Sequence, residues 1–142
     1  MTSRLSDTEK SLPIMLLRAR EAVMKRFRPL LKSHGISEQQ WRVLRVLNEL
    51  GPQEPAQLAE RCVILAPSLT RILRALELQN YISRDAHNND GRKMVVTITA
   101  GGKKLIGKIT PPSVEIYAGI EDQFGPERLH NLMAALRELS VL

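Results

Sequence analysis

Two arginines, Arg71 and Arg74, carry much of the chemistry that this chain can perform. They are three residues apart, so they share one face if the segment is a helix. Guanidinium groups on one helix face can donate to guanine edges or to phosphates. The alternative is a solvated face, or an ion pair with Glu77. The functional reading predicts an anion-binding surface along this segment.

The residues just before these arginines add hydroxyl groups to the same surface. Pro67, Ser68 and Thr70 occupy the first turn of the expected helix. Backbone N–H groups and hydroxyls at a helix N-terminus can bind a phosphate. Ordinary helix capping is the alternative, and both uses can hold together.

A second basic cluster follows in a polar segment rich in Asn, Asp and Gly. Arg92 lies near its tip, where an arginine can enter the narrow minor groove of DNA. We predict that Lys93 and Arg84 contact phosphates. Asp90, two residues before Arg92, is interpreted as the partner that orients an arginine, with plain solvation as its alternative.

Short structural elements must hold these residues. A helix is expected over Pro67–Gln79, followed by strands at Tyr81–Arg84 and Met94–Thr99, whose residues alternate between apolar and polar. The tip between the strands, Asp85–Lys93, contains residues that tolerate positive φ angles. A short basic helix followed by a basic hairpin predicts a winged helix-turn-helix, which places the helix in one groove of DNA and the hairpin near another.

Two further helices are expected to brace this unit. Ser37 and Gln40 form a capping box, and the helix behind them runs over Glu38–Leu50. A shorter helix over Pro55–Cys62 leads through a tight apolar turn to the basic helix. The predicted inner faces consist of Trp41, Val43, Leu44, Leu47 and Leu50 on the first helix, and Ile72, Leu73, Leu76 and Leu78 on the basic helix.

Helices also flank the winged region. Ser11 can cap a first helix that ends near Ser33, and this helix is apolar on more than one side. Such a helix usually packs against two partners, which we take to be its own domain and a second chain. Thr99 can cap a later helix, which we expect to kink or break at Pro111-Pro112. A last helix starts at Gly125-Pro126.

The resulting fold class is mainly α with a small β-wing. The winged helix-turn-helix DNA-binding domain is predicted to span residues 36–102. Residues 1–35 and 103–142 form a helical dimerisation region.

Composition excludes several other functions. The net charge is +6, and no apolar run approaches the roughly 20 residues that span a bilayer. The N-terminus is polar and lacks the apolar core of a signal peptide, so we expect a cytoplasmic protein. One cysteine and three scattered histidines give no metal-ligand spacing, and no cofactor is expected. No phosphate loop, nucleophile elbow or dinucleotide fingerprint occurs, so we expect no enzyme.

The wing carries the most specific motif. Asp90-x-Arg92-x-x-x-Val96-x-Ile98-Thr99-x-x-Gly102 resembles the D-x-R-x-x-x-V-x-L-T-x-x-G signature of the MarR (multiple antibiotic resistance regulator) family. Asn80 stands where that family usually has glycine, and asparagine also tolerates the left-handed conformation. Leu16-Leu-Arg-Ala-Arg-Glu-Ala22, Phe27-Arg-Pro-Leu30 and Gln39-Gln-Trp41-Arg42 are similar to the subgroup that represses aromatic-acid degradation operons.

The resemblance implies a ligand-responsive DNA-binding transcriptional regulator. It implies a homodimer in which the first and the last two helices of the two chains interleave. Double-stranded DNA with a palindromic operator would be the partner. A small aromatic acid would bind between the dimer helices and the winged domain and release a repressor from its operon.

Two arginines are candidates for binding such an acid. Arg18 and Arg45 interrupt otherwise apolar helices, and an arginine is costly to bury without a partner. The functional hypothesis is that Arg18 or Arg45, with Trp41 as a wall, holds the carboxylate of the effector. The alternative is ion pairing with Glu21, Glu49 or the acidic residues of the last helices.

Two other functions stay open at this point. The basic face could dock an acidic protein, which would make the chain a winged-helix protein-interaction module. Cys62 could sense oxidation, as a cysteine does in some members of the family, but a reactive thiol needs a cationic, open environment. A small buried core residue is the alternative for Cys62.

Overall fold

The computed structural model describes residues 11–87 and 90–142, with the side chains of residues 86–93 excepted. The elements follow the predicted order of helices, a hairpin and helices. They are α1 (Leu12–Ser33), α2 (Glu38–Leu50), α3 (Pro55–Cys62), α4 (Ala66–Leu78), β1 (Ile82–His87), β2 (Asp90–Ile98), α5 (Ala100–Phe124) and α6 (Pro126–Leu139). The predicted fold class, mainly α with a small β-wing, is confirmed. Within the described ranges, no helix is both long and apolar enough to cross a membrane.

Side-chain caps fix the starts of three helices, as the sequence predicts. The Ser11 hydroxyl accepts from the Ile14 amide at 3.2 Å at the start of α1. At α2, the Ser37 hydroxyl accepts from the Gln40 amide at 3.1 Å, and the Gln40 side chain accepts from the Ser37 amide at 2.9 Å. The Thr99 hydroxyl accepts from the Gly102 amide at 3.1 Å at the start of α5. These bonds satisfy amides that a helix leaves unpaired in its first turn.

The hairpin is longer than predicted. The strands pair in antiparallel register, with Ile82 opposite Ile98 and Ala86 opposite Met94. The pairing extends to His87 and Asp90, past an irregularity between Ala86 and His87. The prediction of a tip over residues 85–93 was therefore wrong about its length. Backbone pairing does not require apolar side chains, so the alternation of residue types ended before the strands did.

A third backbone segment joins the base of the wing. Gln53, in the loop between α2 and α3, exchanges both backbone hydrogen bonds with Val96 of β2, at 3.1 and 2.8 Å. Val96 is fully buried and Gln53 is 8% exposed. This bridge ties the wing to α2 and α3, the two helices that precede α4.

The core of the winged region comes from the predicted helix faces, with two corrections. Trp41, Val43, Leu44 and Leu47 are buried on α2, and Leu69, Ile72, Leu73 and Leu76 are buried on α4. Leu50 is 48% exposed and Leu78 is 79% exposed, so their assignment to the inner faces was wrong. Leu78 lies two residues beyond Leu76, which turns its side chain about 200° away around the helix.

The later helix crosses its two prolines without a break. α5 runs from Ala100 to Phe124 and includes Pro111 and Pro112. Of the expected kink or break, the break was therefore wrong, and the kink stays a prediction. Each proline removes one backbone donor, but the amides of the neighbouring turns still bond along the helix. The Thr110 hydroxyl also donates to the Ile106 carbonyl at 2.7 Å within this turn.

The chain divides into two compact units. One contains Arg28–Pro111, and the other contains Pro112–Leu142 with the chain up to Phe27. The predicted division at residues 35/36 and 102/103 stays a prediction. In the second unit, many large apolar side chains are exposed in the isolated chain, and α6 has no buried residue. They are Leu12, Met15, Leu16, Leu17, Val23, Val114, Tyr117, Phe124, Leu132 and Met133.

Candidate DNA-binding surface and effector site

The N-terminus of α4 presents its first turn without a side-chain cap. Leu65 occupies the capping position and makes no side-chain hydrogen bond to the helix. Pro67 and Thr70 are exposed and Ser68 is half-buried. The Thr70 hydroxyl donates to the Ala66 carbonyl at 3.1 Å, which leaves its oxygen able to accept. No side chain at the N-cap position satisfies the first amides of α4, so this turn has the arrangement that suits a phosphate.

Arg71 and Arg74 lie on the outer face of α4. Both are exposed, on the side opposite to the buried face. Among the residues that the structure describes, neither forms an ion pair. The alternative of a bridge to Glu77 is not realised, because that carboxylate accepts from Arg84. The two guanidinium groups therefore point to solvent, where a duplex could reach them.

An ion pair joins α4 to the wing. Arg84 of β1 donates to the Glu77 carboxylate of α4 at 2.9 Å, with both side chains partly exposed. The predicted phosphate contact by Arg84 stays a prediction, and it would have to share the guanidinium with Glu77. A guanidinium has five N–H donors, so such sharing is possible. No local pattern predicts this pair, because seven residues separate its members and they lie on different elements.

The Arg84 hydrogen bond lowers the pKa of the Glu77 carboxyl below its ordinary value of 4.5. A carboxyl whose pKa is lowered by folding stabilises the folded state above its ordinary pKa, and this contribution is lost as the pH falls through the lowered value. We expect an NMR titration to give a lower pKa for Glu77 in the native chain than in an Arg84→Met variant. Glu77→Gln should destabilise the protein at neutral pH and cost progressively less as the pH falls below about 4.5. Equal Glu77 pKa values with and without Arg84 would contradict this prediction.

The wing residues keep the status of predictions. Asp90, Arg92 and Lys93 belong to β2, but their side chains lie outside the described part of the chain. Their roles as the orienting carboxylate, the minor-groove arginine and a phosphate contact rest on the sequence.

The other signature residues hold the base of the wing. The Thr99 hydroxyl donates to the Asn80 carbonyl at 2.7 Å, and Asn80 has the expected left-handed conformation with φ of 62°. A Cβ on Gly102 would lie 2.3 Å from the Tyr81 carbonyl oxygen and 2.6 Å from the Ile98 side chain. Gly102 therefore permits the start of α5 to lie directly against both ends of the hairpin. The cap at Thr99 and the conformation of Asn80 were predicted from the sequence, but the packing role of Gly102 was not.

The candidate effector residues fall in different units. Arg45 lies over the indole of Trp41, with its guanidinium carbon 4.9 Å from the ring centroid. Trp41 is 7% exposed, whereas Arg45 is exposed. Arg18, on α1 of the other unit, is also exposed in the isolated chain. Neither arginine is buried in the isolated chain, so the cost of burial no longer argues for either the effector hypothesis or the ion-pair alternative.

A pocket of about 310 Å³ lies in the second unit, here called the helical unit, which contains Pro112–Leu142 and the chain up to Phe27. It is lined by Ala22, Val23, Arg26, Ile120, Gln123 and Phe124. The Arg26 guanidinium donates to the Gln123 side-chain carbonyl across it. One cation in an apolar setting also suits a small aromatic acid. Arg26 was not predicted from the sequence, and it is a third candidate, beside Arg18 and Arg45, for binding a carboxylate.

Arg42 has a contact that the sequence did not predict. One guanidinium nitrogen donates to the Cys62 carbonyl at 2.7 Å and lies 3.4 Å from the Val63 carbonyl. The other lies 3.7 Å from the Glu38 carboxylate, one turn earlier on α2. Only the Glu38 pair has an i, i+4 spacing that the sequence could have revealed.

Cys62 is a core residue in this structure. Its side chain is fully buried, and its thiol points towards the Arg42 carbonyl, 3.9 Å from Sγ to oxygen. Burial raises the pKa of the Cys62 thiol, and the charge of Arg42 lowers it to a smaller extent. A buried, protonated thiol is a poor nucleophile. The open cationic environment of an oxidation sensor is therefore not present.

We expect slow chemical modification of this thiol. Ellman's reagent should label the native protein at least about a hundredfold more slowly than the unfolded chain, because labelling requires local opening. The unfolded chain in denaturant is the control for intrinsic reactivity. If the native and the unfolded protein are labelled at comparable rates, the thiol is accessible, and Cys62 is again a candidate redox sensor.

The comparisons with known proteins agree on one kind of protein. A family model described as "MarR family" matches residues 36–94. The homoprotocatechuate degradative operon repressor of Escherichia coli is 41% identical over 132 residues, which cover 93% of this chain and 89% of the repressor. The HTH-type transcriptional regulator FarR of Neisseria gonorrhoeae is 40% identical over 92% of this chain and 89% of its own length.

Solved structures extend the similarity to three dimensions. The crystal structure of NadR in complex with 4-hydroxyphenylacetate matches with a TM-score of 0.82 and 38% identity. The match covers 100% of this chain and 98% of the NadR chain. The crystal structure of the transcriptional regulator PA4135 matches with a TM-score of 0.87 and 40% identity, over 92% of this chain and 96% of that chain.

Proposed function

This chain belongs to the MarR family of transcriptional regulators, and we propose that it represses an aromatic-acid catabolic operon until a small aromatic carboxylate releases it. The family and the narrower resemblance to the aromatic-acid subgroup, both inferred from the sequence, are confirmed. The observation that carries the proposal is 41% identity to a homoprotocatechuate operon repressor over 93% of the chain. Homoprotocatechuate is itself an aromatic acid.

DNA binding would use two copies of the chain. Exposed apolar side chains on α1, α5 and α6 support a dimer, because large apolar patches of this kind usually mark interfaces. A two-fold dimer would present two copies of α4 to successive major grooves, about 34 Å apart on a palindromic operator. Arg71 and Arg74 would contact base edges or phosphates, and the wing would reach the adjacent minor groove.

The effector would bind beside Trp41. An aromatic carboxylate needs a cation for its charge and an apolar wall for its ring. The Arg45 guanidinium over the buried Trp41 indole supplies both within one helix turn of α2. NadR, 38% identical, was crystallised with 4-hydroxyphenylacetate, which has this chemistry. Release from DNA requires that the effector bind more tightly to a state that does not fit the operator.

The test measures DNA binding and effector binding separately. The wild-type protein should shift a duplex taken from upstream of its own gene, and 4-hydroxyphenylacetate should reverse the shift. In calorimetry, Arg45→Ala should weaken binding of this acid by at least about tenfold, the size expected for a charged hydrogen bond. Arg18→Ala and Arg26→Ala compare the other two candidate cations. If Arg45→Ala binds 4-hydroxyphenylacetate as tightly as the wild type and Arg26→Ala binds it more weakly, the effector site is the pocket in the helical unit.

The same DNA-binding experiment distinguishes the proposed function from that of a protein-interaction module. A module that docks acidic proteins would not select one duplex over another at moderate salt. Failure of the wild-type chain to bind its upstream DNA more tightly than an unrelated duplex would contradict the proposed function.

A further inference from the structure

The turn between α3 and α4 contains an unusual backbone conformation, just before the helix that would read the operator. Val63, between α3 and α4, has φ of 55° and ψ of 52°, in the left-handed region. A β-branched residue rarely adopts this region, because its side chain crowds the backbone. Val63 is also 84% exposed, so burial of its own side chain does not offset the strain. Strained residues persist where surrounding contacts determine their conformation.

Besides the backbone hydrogen bonds within the turn, an arginine of α2 contacts it. The Arg42 guanidinium donates to the Cys62 carbonyl at 2.7 Å and lies 3.4 Å from the Val63 carbonyl. The Cys62 carbonyl is the last of α3 and the Val63 carbonyl belongs to its C-cap, where a positive charge also compensates the helix dipole. Glu38 lies 3.7 Å from the other guanidinium nitrogen and orients it. The half-buried Arg42 thus holds the two peptide groups that flank the strained residue.

The conformation of this turn determines where α4 points. If Val63 took the right-handed conformation, α3 would continue and α4 would start in another direction. Instead, the left-handed residue ends α3, and the Ile64 amide bonds back to the Ala59 carbonyl at 3.0 Å. Leu65 is the extended residue at the N-cap, and α4 starts at Ala66.

We propose that Arg42 is a positioning residue for DNA reading, which holds Val63 in the left-handed conformation and thereby sets the direction of α4. This inference rests on the proposed function, in which α4 reads the operator. It assigns no DNA contact to Arg42 itself. The competing explanation is that Arg42 only adds general stability through its ion pair with Glu38.

The first variant is Arg42→Met, which keeps the apolar stem and removes the donors. We expect operator affinity to fall by at least about tenfold, as for the loss of a charged hydrogen bond, at a temperature where circular dichroism shows a folded chain. Wild-type operator affinity in a folded Arg42→Met protein would overturn the proposal.

The second variant separates positioning from stability. Val63→Gly should restore most of the affinity lost in Arg42→Met, because glycine adopts the left-handed conformation without support. Gly107→Ala in the same background is the matched control: it lies in an exposed, uncrowded stretch of α5, should raise the melting temperature and should leave operator affinity low. Equal recovery with Gly107→Ala would show that Arg42 supplies stability alone, and would overturn the proposal.

A readout without DNA distinguishes this inference from the proposed function. NMR scalar couplings and carbon shifts of Val63 report its φ angle in the free protein. They should show the left-handed conformation in the wild type and its loss in Arg42→Met. An unchanged left-handed Val63 in Arg42→Met would overturn the positioning role. If the wild-type protein binds no duplex, the proposed function is wrong, and Arg42 has no role in DNA reading. The scalar couplings would still show, independently of DNA, whether Arg42 holds Val63 in the left-handed conformation.

Discussion

Gly102→Ala is expected to destabilise the winged unit by about 3 kcal/mol, the upper range for an overpacked site. A Cβ at this position would meet the Tyr81 carbonyl oxygen at 2.3 Å and the Ile98 side chain at 2.6 Å. The first obstacle is backbone, so a rotamer change cannot relieve it. The start of α5 would have to move away from the hairpin, and the Thr99 hydroxyl bonds to Asn80 and Gly102 would lengthen. Chemical denaturation with the wild type as reference measures the loss.

Gly107→Ala is the matched control on the same helix. No atom lies within 4 Å of the position that its Cβ would occupy. Alanine is favoured over glycine in a helix interior by roughly 0.5–1 kcal/mol, so this variant should be more stable than the wild type. The same substitution five residues apart should therefore have opposite signs. A Gly102→Ala protein as stable as Gly107→Ala would show that the base of the wing tolerates a Cβ.

Arg92→Ala is expected to weaken operator binding by about 1–3 kcal/mol, the cost of losing one arginine contact with DNA. The physical reason is the negative potential of the narrow minor groove, which favours an inserted guanidinium. Loss of one charged contact should also reduce the slope of log affinity against log salt concentration by about 1. Fluorescence anisotropy with a labelled operator at several salt concentrations measures both quantities.

The control for Arg92 must remove a charge without removing the wing contact. Lys108→Ala does so from an exposed position on α5. It should leave operator affinity and salt slope close to those of the wild type. If Arg92→Ala behaves like Lys108→Ala, Arg92 does not contact DNA and the assignment of the wing is wrong. Thermal unfolding of both variants, compared with the wild type, separates a loss of stability from a loss of DNA contact.

Local patterns in the sequence determined most of the fold. Helix starts were predictable where one side chain caps a backbone amide three residues away, as at Ser11, Ser37 and Thr99. The buried faces of α2 and α4 followed from helical spacing. The wing signature, from Asp90 to Gly102, indicated the family and therefore the class of function. These signals are readable because the interacting groups are close along the chain.

Some predictions from the sequence were wrong, because interactions that the local pattern does not show determined the outcome. Leu50 and Leu78 are apolar, but their positions on the helix direct them to solvent. The prolines of α5 did not break it, since cooperative bonding on both sides outweighs two missing donors. The hairpin continued into polar residues because backbone groups pair whatever side chains they carry.

Only the tertiary structure decided the partners of the charged side chains. Arg84 binds Glu77 across two elements, and Arg42 binds carbonyls twenty residues later in the chain. Charge and residue type predicted a phosphate contact for Arg84 and no role for Arg42, and could not choose between DNA, effector and protein partners. A guanidinium binds whichever acceptor the packed backbone brings within about 3 Å, and that distance is a property of the fold. The sequence thus determined what kind of protein this is, and the packing determined which of its arginines remain available for DNA.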